Sequence, residues 1–258
     1  MKDTIRQISV LLTIAGTILV NTLANTLPIN GQNTGEISDR FNVYFTPAGY
    51  VFSIWGLIYI GLIVFGIYQV LPSQRQNPRL RATGWWVVLG NIANAAWIFL
   101  WHYEQFPVTI LVMLILLVTL IVTYLRLGFG KTEATLVEKL AVRLPFSIYL
   151  GWITVATVAN ATALLDYLKW NGFGMSPELW MWVILAAVLV IAVLMNFTRR
   201  DVAYAAVILW ALAGIASKHA AISAVAVPTW LVFGLVLVTL AAAFILKLPA
   251  RRPAASNH

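Results

Sequence analysis

The sequence predicts an all-α membrane protein of about eight transmembrane helices, and three observations carry that reading. Of 258 residues, 61% are hydrophobic and only 10% charged. A soluble domain carries roughly 25% charged residues, and with far fewer it could not cover its surface. The apolar residues fall in blocks of about 20, long enough to cross a hydrocarbon core of roughly 30 Å at 1.5 Å rise per residue. Between the blocks, Lys and Arg gather in alternate connections, the pattern of cytoplasmic loops.

The spans are read as residues 7–27, 50–71, 84–103, 107–126, 143–166, 178–197, 202–222 and 228–247. In the first, Lys2 and Arg6 precede ISVLLTIAGTILV as in a signal peptide. No small-x-small cleavage site follows in TLANTLP, so the segment is kept as a helix. The second follows a polar loop, residues 28–49, and the third opens on Trp85 and Trp86. The fourth, VTILVMLILLVTLIVTYL, holds no charge and should insert with several kcal/mol to spare. Before the fifth, ATLVEKLAVRL fits a short amphipathic helix on the membrane surface. The sixth is the unbroken WMWVILAAVLVIAVLMNF. The seventh is the weakest, since Lys218 and His219 lie near its end. A lysine so close to the boundary is read as snorkelling rather than as a Schiff-base site. The eighth leads to a short basic tail.

With the N-terminus inside, alternation places Lys2, Arg6, Arg75, Arg79, Arg81, Arg126, Lys131, Lys139, Arg143, Arg199, Arg200, Lys247, Arg251 and Arg252 on the cytoplasmic side. That is 14 of the 17 basic residues, leaving Arg40, Lys169 and Lys218 outside. Both termini are therefore expected in the cytoplasm. The same asymmetry accounts for the net charge of +8 without a nucleic-acid partner. There is no cysteine, which excludes disulfides and thiolate metal sites.

Polar and aromatic residues inside the spans point to a site. Trp85, Trp86, Trp101, Trp170, Trp180, Trp182 and Trp230 fall near span ends and read as aromatic-belt residues. Three spans carry stripes at helical spacing: Phe52, Trp55 and Tyr59; Asn91, Asn94, Trp97 and Trp101; and Tyr149, Trp152, Ala156 and Asn160. Asn facing lipid is costly, so these faces should turn into the bundle. For each residue singly, helix packing with interhelical amide hydrogen bonds is the better explanation. Three stripes at one depth beneath the 28–49 loop suggest a pocket for a flat, mostly apolar ligand with a few polar atoms.

These residues resemble the tryptophan-rich sensory protein/translocator protein family, whose core has five membrane helices. The resemblance rests on Phe45-Thr46-Pro47-Ala48-Gly49-Tyr50 with Trp55-Gly56-Leu57-Ile58-Tyr59, on Asn94-Ala95-Ala96-Trp97, and on the run from Tyr149 through Trp152, Ala156 and Thr157 to Asn160. Ala48 and Tyr50 depart from the family's second proline and following tryptophan. The resemblance covers residues 7–166 and implies a five-helix core over 1–166, with three additional helices and the tail over 167–258. It also implies a membrane-bound binding, sensory or translocating protein for tetrapyrroles such as protoporphyrin, or for sterol-like ligands. Trp55, Tyr59, Asn94, Trp97, Tyr149, Trp152, Ala156 and Asn160 would line or support the site, and a homodimer is compatible with it. In a light-dependent porphyrin-degrading variant of this reading, Trp55 and Trp152 would take part.

No motif requires a cofactor. There is no P-loop, no HExxH and no carboxylate pair inside a span, and His102, His219 and His258 are not paired at i+4, so no metal site is expected. A secondary transporter is a further alternative, but no internal repeat and no midplane charge supports it.

Overall fold

The computed structural model describes residues 1–27 and 29–246. Lys247, Arg251 and Arg252 of the basic tail, His258, and Pro28 at the start of the loop lie outside the described residues. All regular structure among the described residues is helical. The eight apolar helices are α1 (Lys2–Thr26), α2 (Ile54–Val70), α3 (Pro78–His102), α4 (Phe106–Arg126), α5 (Leu144–Tyr167), α6 (Pro177–Arg199), α7 (Val202–Lys218) and α8 (Ser223–Ile245). Their starts are written locally. Proline occupies the first turn of α3, α4 and α6, where its missing N–H costs nothing. Asn77, Ser176 and Asp201 cap α3, α6 and α7 with side-chain oxygens.

Seven of the eight candidate spans are long and apolar enough to cross a membrane, and α7 is the exception at 17 residues. The expected seventh span was longer, 202–222. Its end is cut at Lys218, and a turn through His219–Ala221 leads to α8. A second difference precedes α5. Instead of a separate surface helix, Leu136–Glu138 and a π-helical turn at Lys139–Arg143 run continuously into α5. Arg143 stitches this segment down by donating to the carbonyl and hydroxyl of Thr132.

Helices α1 to α5 close into a ring. α1 packs between α2 and α3, α3 packs on α4, α4 on α5, and α5 on α2, so the order around the ring is 1-2-5-4-3. Helices α6, α7 and α8 pack on one another, and α7 docks on α5. Small residues permit close helix contacts: a Cβ at Gly90 would lie 2.8 Å from the Thr119 hydroxyl, and one at Gly151 would lie 3.0 Å from Val207. Amides cross-link the ring. Thr17 donates to the Asn91 carbonyl (2.9 Å), Asn21 to Asn94 Oδ1 (2.7 Å), and Asn94 to the Tyr149 hydroxyl (2.8 Å). Each satisfies a polar group that lipid could not.

At one end, the basic end, Arg6 is buried and donates to the carbonyls of Leu80 (2.9 Å) and Arg75 (3.0 Å). Arg81 pairs with Asp3, Arg79 with Glu138, and Arg199 reaches the Phe129 carbonyl. Near this end Asp201 joins three helices. Its carboxylate accepts from Tyr124 of α4 (2.8 Å), from Ser147 of α5, and from the Tyr204 backbone of α7 (3.1 Å).

Candidate functional site

The opposite end carries the loop before α2, and its described residues, 29–49, are folded. Asn33 and Glu36 form a reciprocal capping box that starts a short helix, Thr34–Asp39. Beyond Pro47 a 3₁₀ turn at Gly49–Ser53 leads into α2. The short helix sits over the ring. The Trp101 indole donates to the Thr34 carbonyl (3.3 Å), and Thr34 Oγ1 lies 3.2 Å from His102 Nε2.

Beneath this lid is a cavity of about 50 Å³ lined by Thr34, Ser38, Pro47, Phe52, Trp97, Trp101, Trp152, Val155, Ala156, Ala159 and Asn160. Its walls are largely aromatic. Trp97 stacks on Trp101 with centroids 5.1 Å apart, and Phe52 meets Trp152 edge to face at 5.7 Å. Asn160 is fixed at one side, accepting from the Trp97 indole (2.9 Å) and donating to Thr109 (3.0 Å). The Trp152 indole N–H is buried and has no hydrogen-bond partner. A buried donor left unpaired is costly, and a ligand acceptor would relieve it.

Of the eight residues expected at a site, Trp97, Trp152, Ala156 and Asn160 line the cavity. The other four stand behind it. Trp55 stacks on Tyr59 (5.7 Å) and meets Trp152 edge to face (6.2 Å), while Asn94 and Tyr149 are tied to each other across the ring. Trp101 corrects the belt assignment. It is only 4% exposed, because the lid covers it, whereas Trp85 is 54% exposed. Sequence reasoning missed Thr34, Ser38 and Pro47. The Asn33-x-x-Glu36 box was the available signal that this loop is structured.

Helices α6 and α7 and the turn after α7 hold the lid. Ala48 N–H donates to the Gly214 carbonyl (3.2 Å), and the Trp210 indole donates to the Val51 carbonyl (3.1 Å). Gly214 is required there, because a Cβ would lie 2.1 Å from a Val51 methyl. Asp39 pairs with Lys218 of α7, and neighbouring Arg40 pairs with Glu104 of the α3–α4 turn (2.9 Å). The Tyr44 hydroxyl donates to Glu178 of α6 (3.0 Å), which holds the phenol above its ordinary pKa, and the ring meets His219 edge to face. The Lys218–Asp39 pair is partly exposed, and such pairs contribute about 0–1 kcal/mol. Lys218→Met is therefore expected to leave the unfolding midpoint nearly unchanged while quickening proteolytic nicking within 28–49, and limited proteolysis of the two forms checks this.

A family model described as TSPO-like protein matches residues 7–244. The chain belongs to the TSPO-like family. No curated protein and no solved structure matches it. The match runs well beyond residue 166, where the motif resemblance stopped, and takes in α6, α7 and most of α8. Membership in the TSPO-like family, together with the apolar helices, makes this an integral membrane protein and supports a membrane-associated binding or translocating role in general. Among the described residues of this TSPO-like chain, no group of three His, Asp or Glu side chains is placed to hold a metal ion.

Proposed function

We propose that the protein reversibly binds a flat, mostly apolar ligand, a tetrapyrrole such as protoporphyrin or a sterol-like molecule, between α2, α3 and α5 under the 28–49 lid, in a sensory or translocating role. The observation that carries this reading is the Trp152 indole, an unpaired donor at an aromatic-walled cavity. Ligand pockets usually measure roughly 300–1,000 Å³. At about 50 Å³ the closed cavity is too small for a macrocycle. Binding in this reading therefore includes displacement of the lid, whose Thr34, Ser38 and Pro47 form one wall. The lid faces outward and both termini face the cytoplasm, as the basic end favours.

Titrating detergent-purified protein with protoporphyrin should quench tryptophan emission saturably. Trp152→Phe, which removes the donor but keeps an aromatic wall, should weaken binding about tenfold, the loss of one hydrogen bond to a buried group. Emission that protoporphyrin leaves unchanged in both forms would sink the proposal. The edge contact of Trp55 on Trp152 favours a second reading, light-driven oxidative breakdown of the bound porphyrin by dioxygen. In that case the Soret band of the illuminated complex fades faster than that of free porphyrin, and a rate no faster excludes it.

A further inference from the structure

A second, larger cavity lies at the loop end, outside the ring. It measures about 340 Å³, within the range of small-molecule sites, and sits between the end of α5, the α5–α6 connection, the start of α6 and the back of the lid. Its walls combine the aromatic residues Tyr44, Trp170 and Trp180 with the apolar Leu165 and Met181, and one carboxylate, Asp166, lines it. Trp170 and Trp180 pack at 4.9 Å, and Trp180 is held in place by its indole hydrogen bond to the Gly172 carbonyl (2.8 Å). Asp166 accepts from the Asn42 backbone with one oxygen (3.2 Å).

Charge decides what such a cavity would take. No basic residue lines it, and none forms an ion pair with Asp166 among the described residues. Of the nearby cations, Arg40 pairs with Glu104 and Lys218 with Asp39, while Lys169, beside Trp170, does not line the cavity and forms no ion pair with Asp166 among the described residues. A second carboxylate, Glu178, stands behind the Tyr44 hydroxyl. An anion would be repelled, and a neutral apolar ligand would engage the apolar walls but not the carboxylate. Aromatic rings combined with an acidic group favour a weakly hydrated organic cation, which the ring faces attract.

We propose that this cavity binds the quaternary ammonium group of an amphiphile, with the cation near Asp166 and the aromatic walls and the alkyl portion along Leu165 and Met181. The group could belong to a lipid head group or to a free quaternary ammonium amphiphile. The lid segment 42–45 is one wall of this cavity and Pro47 lines the other, so an occupant here leans on the chain that covers the ring.

The test uses the whole protein in an uncharged maltoside detergent, with hexyltrimethylammonium as the probe and hexanol as the uncharged control. Hexyltrimethylammonium should change tryptophan emission saturably while hexanol does not. Asp166→Asn, which keeps an acceptor for Asn42, should weaken the cation about tenfold or more with an unchanged unfolding midpoint. Trp170→Leu gives a second variant should Asp166→Asn fail to fold. A cation response fully suppressed in phosphatidylcholine nanodiscs but present in phosphatidylglycerol nanodiscs assigns the site to a lipid head group. An equal response in both assigns it to a free quaternary ammonium amphiphile. No saturable response in detergent, an equal response to hexanol, or affinity unmoved by both substitutions overturns the proposal.

Discussion

Asp201→Ala is expected to cost roughly 2–4 kcal/mol, combining loss of a helix cap with two hydroxyls left without their acceptor. The carboxylate caps α7 and at the same time receives Tyr124 from α4 and Ser147 from α5. Its removal therefore acts on the seam between the ring and the three following helices rather than on one helix alone. Thermal unfolding in detergent should show a midpoint well below that of the native chain. Asp201→Asn, which retains one acceptor oxygen, should fall between the two. A midpoint for Asp201→Ala within error of the native value would mean that apolar packing of α7 on α5, around Gly151 and Val207, holds the seam without help.

Gly214→Val should release the lid. Even a Cβ here would lie 2.1 Å from a Val51 methyl, and Val51 is 0% exposed, so its side chain has nowhere to turn. Overpacking of this kind costs about 1–3 kcal/mol. The strain falls on the contact between α7 and the 3₁₀ turn that anchors the lid, where Ala48 N–H donates to the Gly214 carbonyl. Because the chain has no cysteine, Val155→Cys supplies a single buried reporter on the ring side of the cavity, where the native side chain is 2% exposed. A soluble thiol reagent should label it at least about tenfold faster in the Gly214→Val background, reflecting a lowered cost of local opening. An unchanged labelling rate would show that the lid is held from the α3–α4 side, through Arg40 and Glu104.

The membrane helices were legible because lipid imposes length and composition on each span independently of the others. The exception, α7, is also the helix whose neighbours matter most, and span rules say nothing about neighbours. The stripes on α2, α3 and α5 were readable because period 3.6 puts their residues on one face. That periodicity gives the facing direction but not the depth of contact, so Trp97, Trp152, Ala156 and Asn160 reach the cavity while Asn94 and Tyr149 stop short in a hydrogen bond to each other. Trp101 looked like a belt residue because its place near a helix end is the same whether water or a folded loop lies above it. The lid's dependence on Gly214, Trp210 and Lys218 joins positions more than 150 residues apart, and no local pattern marks such pairs.

The lid is gripped by helices of its own chain, joined to the ring through the short connection 168–176. Groups tethered this way meet at an effective concentration in the millimolar range, whatever the protein's abundance. Lid closure in the proposed binding cycle is therefore a first-order event. It should proceed identically in a crowded bilayer and in one holding a single copy, and dilution cannot switch it off.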